Sequence, residues 1–534
     1  MSLTKATYSL INGAPINVLD YGADPTGVTD STATIQAAVT AASNNSSVYF
    51  PTGTYLIGAA GINVASKTGV TLFGESAVIK ITAVSTLTIP SLGACSIRFN
   101  SCTRSGVRGL TINGNSTASA AVGFSAGTEC FVIDCTIFAS GNTGQIISSN
   151  GGVRNRFTDN LIYSGNGTAR GLWLGNVTVG NMETDVDIIN NTVRNHSASG
   201  IVICSVGGRC IGNHAQTNDG AGIIFPGADG LSTKNLTVTG NYCIDNLFHG
   251  MQADVIYVTE ADCISGIVLS GNVCIGNSRG TGTGLYMINT RDCVITGNTC
   301  LNNVSGGIVA DDNNIGLAIS GNTCADTRVG GARTQAVGIR INVTNNSSAN
   351  YAVTGNTLRN NSNTGLQIVC TAAAKTITNV TVCGNSIVDN AAYGIFAAET
   401  AYGDMSGVVI TGNTIKGHAT QDIRSFVPKI IVGLNSYETE SGIATSAFTS
   451  TDTSPSVASR KDWLASNASA TTITAFDDGV NGQEITIRAT NGNTTIAHGG
   501  TIVNNGSVNA VLPSNGVISY TRQSGTWFET SRNF

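Results

Sequence analysis

The sequence predicts an all-β protein built mainly as a right-handed, single-stranded parallel β-helix, a solenoid with an N-terminal capping helix and a small C-terminal β domain. The first observation is a recurring phrase, which reads VTGNYC at 238–243, LSGNVC at 269–274, ITGNTC at 295–300, ISGNTC at 319–324, VTGNTL at 353–358, VCGNSI at 382–387 and ITGNTI at 410–415. Its Asn residues are separated by 31, 26, 24, 34, 29 and 28 residues. A period of about 20–50 residues is typical of solenoids, propellers and arrays. Because the period is irregular, we expect a constant coil with loops of varying length.

The second observation is the composition. Only 11% of the 534 residues are charged and 65 are Gly. Abundant Gly, Asn, Thr, Ser, Val and Ile are typical of short β-branched strands joined by tight turns. The formal charge of -5 disfavours a nucleic-acid partner. No apolar run approaches the roughly 18 residues of a membrane-spanning helix, and MSLTKATYSL lacks the apolar segment of a signal peptide.

The third observation is a second repeat, Gly followed by a short apolar strand, between successive GN phrases. It reads GLWLG at 171–175, GIVIC at 200–204, GIIFP at 222–226, GMQAD at 250–254, GLYMI at 284–288, GIVAD at 307–311, GIRIN at 338–342, GLQIV at 365–369 and GIFAA at 394–398. Strand side chains alternate between the two faces. The first and third residues after Gly are therefore predicted to face the core, and the second and fourth to face outward. We interpret the repeat Asn as an internal ladder at a sharp bend.

The Cys residues follow the same repeat. Four of them stand two residues after a repeat Asn, where later copies have Leu or Ile: Cys243, Cys274, Cys300 and Cys324, against Leu358, Ile387 and Ile415. A position shared by Cys, Leu and Ile is a buried apolar position. We therefore predict reduced core thiols rather than disulfides or a metal site, since no CxxC pair or His cluster accompanies them. No metal and no cofactor are predicted.

Residues 16–60 are predicted to begin the β-helix and to cap it. Asp30 to Thr32 offer N-cap oxygens, and apolar residues follow at helical spacing. These residues are Ile35, Ala38, Val39 and Ala42. The helix they predict is a candidate for the amphipathic cap that covers the open end of a solenoid.

Two stretches here carry a family resemblance. NVLDYGADPTGVTDS at 17–31, followed by the helix and YFPTGTY at 49–55, resembles the first segment of the pectate-lyase-like right-handed parallel β-helix superfamily. TKATYSLINGAP at 4–15 is similar to the lead-in of bacteriophage tailspike and tail-fibre proteins of that superfamily. The resemblance covers roughly 1–435 by fold. The resemblance is specific for the fold and much less specific for the chemistry, because the superfamily includes hydrolases, lyases and non-enzymatic members.

The predicted organisation has five parts. Residues 1–15 form a short N-terminal attachment segment, 16–60 the start of the β-helix with its capping helix, 61–435 the β-helix, 436–456 a Ser/Thr-rich linker and 457–534 a C-terminal β-rich domain. GTWFETSR at 525–532 resembles the small C-terminal domain of some tailspikes, which implies trimerisation or carbohydrate binding. Residues 1–15 are too few for a full virion-binding domain, so we expect docking through another tail protein or a head domain lost from this chain.

The outward positions of the Gly-led strands offer chemistry suited to a polysaccharide. The predicted sugar-binding side chains are aromatic rings that can stack on sugars, and amide or guanidinium groups that can bind hydroxyls or acidic groups. They are Trp173, Gln252, Tyr286, Arg340 and Gln367.

Two carboxylates share one outward column with a single rung between them. Asp254 and Asp311 are separated by the Ile288 rung, or roughly 9.6 Å between backbones. Leaning side chains would bring the carboxyl groups into the ~6.5–9.5 Å range of an inverting glycosidase. We predict that they carry hydrolysis, with Asp312 as the alternate; otherwise they are ordinary solubilising residues. The acids held in reserve for a site between subunits are Asp229, Glu260, Asp262 and Asp292.

The remaining polar candidates have ordinary interpretations. Glu183, Asp185 and Asp187 are expected to alternate towards solvent on a strand face rather than to bind calcium. The five His residues are scattered, so surface or core roles are expected for each.

Three functions remain open. The first is a phage tailspike depolymerase that binds and hydrolyses a bacterial capsule or O-antigen. It would be a homotrimer in the virion tail, assembled in the host cytoplasm beside other tail proteins and acting at the bacterial surface. The second is a polysaccharide lyase, with Arg340, Lys375 or Tyr286 as the base. The third is a non-catalytic adhesin. The carboxylate column favours hydrolysis.

Overall fold

The structure is a computed structural model of the 534-residue chain. It describes residues 13–117, 120–138, 145–165, 170–176, 180–228, 231–255, 263–277, 282–329, 332–372, 374–399, 404–425, 427, 430–437, 446–457, 462–479 and 481–534. Two compact units divide the chain, Met1–Gln335 and Ala336–Phe534. None of the helices in the described part of the chain has the length and apolarity that a membrane crossing requires.

Most coils of the first unit contribute one strand to each of three sheets, and these strands pair in parallel with their counterparts in the next coil. Sheet 1 contains the Gly-led strands, which are Ile62–Ala65, Gly93–Asn100, Ala120–Ser125, Gln145–Asn150, Arg170–Leu174, Ile201–Ile203, Ile223–Ala228, Met251–Val255, Thr283–Ile288 and Gly306–Asp311. Two short antiparallel strands flank it, Thr88–Ile89 and Leu231–Ser232.

Sheets 2 and 3 lie before and after the GN bend. Sheet 2 contains Ile16–Asn17, Ser47–Tyr49, Thr71–Phe73, Gly106–Arg108, Phe131–Ile133, Arg156–Thr158, Glu183–Ile189, Ser205–Ile211, Thr237–Thr239, Ile264–Ser265, Val268–Ser270, Thr290–Arg291, Val294–Thr296 and Ile315–Ser320. Sheet 3 contains Thr26–Asp30, Gly53–Ile57, Ala77–Ile81, Thr111–Asn113, Thr136–Phe138, Leu161–Gly165, Thr192–His196, His214–Gln216, Tyr242–Ile244, Val273–Ile275, Thr299–Leu301 and Thr323–Ala325.

The second unit begins with coils of the same kind. Its sheet 1 strands are Val337–Val343, Thr364–Cys370, Tyr393–Glu399 and Gln421–Ser425; its sheet 2 strands are Ser348–Thr354, Ile377–Cys383, Met405–Thr411 and Ile431–Val432; its sheet 3 strands are Thr357–Arg359, Ser386–Val388, Thr414–Lys416 and Ser436–Tyr437. The predicted parallel β-helix is therefore confirmed.

The C-terminal part of the second unit has a different architecture. One sheet contains Ser446–Ala447, Asp462–Ala465, Glu484–Ala489, Val517–Gln523, Thr526–Arg532 and Ile502–Val503; the other contains Thr471–Ile473, Thr494–Ile496 and Ala510–Leu512. Their shared core includes Trp463, Phe476 and Trp527. Ser446 pairs with Trp463 and Phe448 enters this core, so the β structure takes up residues inside the stretch 436–456 that we predicted as a linker.

The N-terminal helix spans Thr32–Ala41 as predicted, after Ser31 at the N-cap position. Asp30 Oδ1 accepts the backbone N–H of Thr32 at 2.8 Å. Gln36 closes the first edge of sheet 1: its Oε1 accepts the N–H of Asn63 at 2.8 Å and its Nε2 donates to the Asn63 carbonyl at 3.1 Å. A helix side chain thereby satisfies edge groups that would otherwise be open to further pairing.

The GN phrase forms the predicted Asn ladder. In coil after coil, Oδ1 of one Asn accepts both the backbone N–H and the Nδ2–H of the preceding Asn; Asn241 donates both bonds to Asn272 at 2.9 Å. The preceding Gly takes a left-handed conformation, with φ of 63° at Gly240, which Gly adopts without steric cost. Every ladder Asn from Asn191 to Asn322 is buried.

A second ladder, which we did not predict, lies five residues further along each coil. Asn246 donates its backbone N–H and its Nδ2–H to Asn277 Oδ1, at 3.2 and 2.9 Å. Asn277 continues the series to Asn303, and His196 stands at its start, donating its backbone N–H to Asn218. Two amide ladders thus bracket sheet 3 in the first unit.

The Cys column is also confirmed. Cys243, Cys274, Cys300 and Cys324 align in consecutive coils, and all 14 Cys are free thiols, buried except for the half-buried Cys383. The Gly that opens each sheet 1 strand faces this column: a Cβ on Gly284 would lie 2.9 Å from Cys300 Sγ. Close approach therefore explains the second Gly repeat.

Candidate functional site

The predicted register of the two carboxylates is present in sheet 1. Gln252 pairs with Tyr286 and Ala253 with Met287, while Ile288 pairs with Asp311. Asp254 and Asp311 therefore occupy one column, two strands apart, which corresponds to roughly 9.6 Å between backbones. Met251, Ala253, Leu285 and Met287 are buried, whereas Gln252, Asp254 and Tyr286 are half-buried on the outer face. The site thus arises from strand alternation.

Asp254 is the carboxyl with the most distinctive environment in this column. It is half-buried, and burial raises its pKa above the usual Asp value. Gln252, two residues earlier on the same face, donates a hydrogen bond from Nε2 to Asp254 Oδ2 at 3.1 Å. A carboxyl that retains its proton at higher pH than usual is suited to act as a general acid.

His249 is a member of the site that the sequence reasoning missed. Its ring stacks on Tyr286 with centroids 4.6 Å apart and planes inclined by 10°. Nδ1 accepts the backbone N–H of Thr283 at 3.2 Å, which places any ring proton of the neutral form on Nε2. Burial lowers the pKa of His249 to about 4. The sequence feature that could have identified His249 is its position, because it directly precedes the Gly that opens the Asp254 strand.

Asp311 and Asp312 differ although they are adjacent. Asp311 is the last residue of its strand and is half-buried on the outer face. Asp312 lies in the following bend with φ of 41°, is 5% exposed, and accepts the Asn289 N–H at its carbonyl. Asn313 also has a positive φ, of 50°. Consecutive non-Gly residues in this region are energetically costly and concentrate at functional sites.

Trp173 lies three strands before Gln252 in sheet 1, through Val202 and Ile224. Its ring packs between two apolar clusters, one around Ile89 and Leu92 and one around Val202 and Cys204. The Arg170 guanidinium covers the ring at 4.1 Å. Much of the surface we predicted for sugar stacking is therefore occupied by the protein itself.

Arg340 and Gln367 belong to the second unit. There they form an outward column in which Arg340 pairs with Gln367, Gln367 with Phe396, and Phe396 with Arg424. The Tyr393 ring contacts Phe396 and Arg424 at the end of this column. This column carries the amide, guanidinium and aromatic groups expected of a sugar-binding surface.

The reserve acids lie elsewhere or outside the described residues. Asp292 is exposed, with φ of 51°, in the bend between the sheet 2 strands Thr290–Arg291 and Val294–Thr296. Asp229, Glu260 and Asp262 are outside the described residues. Within the described ranges, no group of three or more His, Cys, Asp or Glu side chains is arranged to hold a metal ion.

Glu183 was expected to face solvent, and this expectation is wrong. The residue is completely buried, and its carboxylate accepts hydrogen bonds from Ser149 Oγ at 2.9 Å, the Gly152 N–H at 3.0 Å and Asn155 Nδ2 at 3.2 Å. Burial raises its pKa despite these donors. Glu183 begins its strand at the inner side of the coil, so it acts as structural support there.

Comparisons with known proteins agree with this architecture. Residues 15–97 match the family described as "Rhamnogalacturonase A/epimerase, pectate lyase-like", and residues 446–528 match the "Phage depolymerase C-terminal beta sandwich domain". No curated protein matches the sequence.

Three solved structures share the fold at low identity. The pre-mature gene product 12 of bacteriophage phi29 has a TM-score of 0.55 at 14% identity, covering 86% of this chain and 62% of that one. Tailspike protein 3 of bacteriophage CBA120 has a TM-score of 0.50 at 12% identity, covering 84% and 66%. The Dettilon tailspike protein has a TM-score of 0.50 at 14% identity, covering 66% and 68%. The predicted resemblance to tailspikes on a pectate-lyase-like β-helix is thus confirmed.

Proposed function

We propose that this protein is a phage tailspike depolymerase that binds and hydrolyses a bacterial surface polysaccharide, a capsule or an O-antigen. The observation that carries the proposal is the placement of Asp254, with its raised pKa, two strands from Asp311 in one outward, half-buried column. The match of the C-terminal domain to a phage depolymerase domain also supports a depolymerase function. The proposed setting is the virion tail, in which the chain is a homotrimer beside other tail proteins.

The proposed reaction divides the work between the two carboxyl groups. Asp254 donates its proton to the glycosidic oxygen as the bond to the anomeric carbon breaks. Asp311 accepts a proton from the water that attacks the same carbon from the opposite face. The products are a new reducing end and a released hydroxyl, and the proton on Asp311 later returns to Asp254 through solvent. Asp312 is the alternate base.

Substrate binding is assigned to the surrounding outward side chains. Tyr286, held flat by its stack on His249, offers an aromatic surface beside Asp254, and Gln252 offers amide hydrogen bonds. Trp173, Arg340 and Gln367 remain predicted sugar contacts further along the two units. Aromatic and amide groups on rigid strands are suited to orient a chain of sugar rings.

Product analysis tests this function and separates the alternatives. The purified full-length chain is incubated with a panel of capsular and O-antigen polysaccharides. New reducing ends without new near-ultraviolet absorbance support hydrolysis. Unsaturated products would assign the lyase reaction instead, and binding without any cleavage would leave an adhesin.

Single substitutions test the residue assignment. On a cleaved substrate, Asp254→Asn and Asp311→Asn should each lower kcat by at least 100-fold, since acid and base catalysis contribute roughly 10²–10⁴-fold. Asp245→Asn is the matched control, because Asp245 is an exposed acid at a bend with φ of 53°, where Asn is well tolerated. Undiminished cleavage by either site variant would exclude that residue from catalysis.

A further inference from the structure

A second surface, on sheet 2 of the first unit, forms a cavity of about 740 Å³ that the proposed reaction does not use. Four Arg and three acidic side chains line it around Phe131. The groove is therefore locally cationic, although the whole chain carries a formal charge of -5. Its residues come from coils earlier in the chain than the Asp254 strand, and from a different sheet. We refer to it as the arginine groove.

The backbone of the arginine groove is strained where the long charged side chains begin. Arg104, Glu129 and Arg154 occupy one bend position in three successive coils, with φ of 49°, 56° and 54°. In the coils before and after them, the same position is taken by Gly, Asn or Asp: Asn45, Gly69, Asp185, Gly207, Asn235, Gly266 and Asp292. A left-handed conformation is energetically unfavourable for a residue with a long side chain. Three consecutive exceptions indicate that the side chains serve a purpose other than folding.

Ion pairs leave part of the positive charge uncommitted. Arg154 binds Glu129 at 2.9 Å, and Arg209 binds both oxygens of Asp187 at 2.9 and 2.7 Å. These pairs hold the two acids and fix the walls of the groove. Within the described residues, Arg104 and Arg156 form no ion pair, and both are exposed.

Arg156 is the strand neighbour of Phe131, a groove-lining residue that is only 8% exposed. In sheet 2, Arg156 pairs with Phe131 on one side and with Asp187 on the other. A guanidinium presents two parallel donors that match a carboxylate, and an aromatic ring packs against the C–H face of a sugar. Glu129 and Asp187 are ion-paired, and Asp185 is the remaining acid of the lining, so within the described residues the groove keeps two guanidinium groups outside ion pairs against one carboxylate and can bind an anionic sugar. A single carboxylate outside the ion pairs lacks the second carboxyl group that the proposed hydrolysis uses.

We propose that the arginine groove is a second, non-hydrolytic binding site for a carboxylate-bearing segment of the polysaccharide, an inference that rests on the proposed depolymerase function. Arg104 and Arg156 bind the sugar carboxylates, and the small exposed part of Phe131 adds an apolar contact at the floor of the groove. Engagement at two sheets raises the effective concentration of the polymer at the Asp254 column.

The test uses full-length protein carrying Arg104→Gly and Arg156→Thr. Gly occupies the Arg104 bend position at Gly69 and Gly207, and Thr occupies the Arg156 column at Thr237, so both replacements are residues this fold already uses. Arg108→Thr is the control, because Arg108 is an exposed Arg of the same sheet that aligns with Thr158 through Ile133 and lies outside the groove. Binding is measured by calorimetry in an Asp254→Asn background, with polygalacturonate, alginate, hyaluronan and polysialic acid as acidic probes and dextran as the neutral probe.

We expect at least one acidic probe to bind, more weakly at high salt, and the double variant to lose affinity by tenfold or more while Arg108→Thr does not. Unchanged affinity in the double variant, or no binding of any acidic probe, would overturn the proposal. A change in sedimentation mass with unchanged affinity would also overturn it, and would assign the groove to contact between copies of this chain.

Reducing-end release by the unsubstituted chain is measured separately. Cleavage with unchanged binding refutes only the arginine groove, whereas groove-dependent binding without cleavage refutes only the hydrolase.

Discussion

Gln252 Nε2 donates a 3.1 Å hydrogen bond to Asp254 Oδ2, across two residues of the same strand face. Two influences act in opposite directions on the pKa of Asp254. Burial raises this pKa, whereas a hydrogen-bond donor to the carboxylate favours the charged form and lowers it. The proton that the proposed mechanism needs is therefore controlled partly by a neighbouring amide.

Replacing that amide should alter the pH dependence of cleavage. In Gln252→Met the carboxylate loses its donor, so the pKa of Asp254 rises further. The alkaline limb of the kcat/KM profile, where the acid loses its proton, should shift to higher pH. A reduced affinity for substrate would raise KM without moving this limb. The measurement is a pH–rate profile of both proteins, and a limb that stays in place or moves to lower pH would contradict the role of Asp254 as the acid.

Acid should destabilise the first unit through a buried histidine. His196 is 1% exposed and burial lowers its pKa to about 4, from the ordinary 6.5. Because the folded state disfavours the charged imidazole, this stability is fully present above pH 6.5 and is lost as the pH falls towards 4. At pH 5 the loss is about 2 kcal/mol.

His196→Asn removes this titration while keeping a ladder residue, since Asn218 and Asn246 hold the equivalent position in the next coils. Between pH 7 and pH 5 the melting temperature should fall less in the variant than in the unsubstituted chain. His498→Asn, in the C-terminal domain, serves as the control. If the melting temperature falls equally in His196→Asn and in the unsubstituted chain, protonation of His196 does not destabilise the folded state and the prediction is wrong.

The first Asn ladder should be intolerant of truncation. Asn272→Ala removes the acceptor of two bonds from Asn241 and two donors, to the Val238 carbonyl and to Asn298. Each buried group left unsatisfied costs roughly 1–3 kcal/mol, so the expected loss in the free energy of unfolding is about 2–5 kcal/mol. Thr237→Ala, an exposed change in the preceding coil, should stay within about 0.5 kcal/mol. Chemical denaturation compares them, and similar values would argue against the ladder as a stabilising element.

Thiol reactivity should distinguish one Cys from the rest. Thirteen of the 14 Cys are buried, and Cys383 is half-buried. Burial raises the pKa of several buried thiols, for example to about 12 at Cys135 and about 11 at Cys293, which suppresses the reactive thiolate. Ellman's reagent should therefore modify one thiol quickly in the native protein and all 14 after unfolding without reductant.

Cys383→Ser should abolish the fast reaction and leave 13 thiols to react after unfolding. Cys370→Ser, at a fully buried position of the same unit, is the control that should retain it. Fewer reactive thiols after unfolding would reveal disulfides and contradict the reduced core.

Much of the fold is encoded in local patterns that repeat. The GN phrase and the Gly-led strand predicted the ladder at Asn241 and Asn272, the thiol column at Cys274 and Cys300, and the alignment of Asp254 with Asp311 through Ile288. These features depend on strand alternation and on stacking of neighbouring coils, which a one-dimensional repeat carries directly. The second ladder had the same signal, an Asn five residues after the first, as in Asn241 and Asn246.

Other features have no local pattern. The sequence by itself determined the solenoid, its register and the pair of carboxylates on one face. Only the tertiary structure decided that Glu183 is buried, that apolar clusters cover Trp173, that His249 stacks on Tyr286, and that Arg104 and Arg156 share a groove. The physical reason is that alternation assigns a side chain to a face of the sheet, whereas burial, stacking and charge pairing depend on which loops and coils pack over that face.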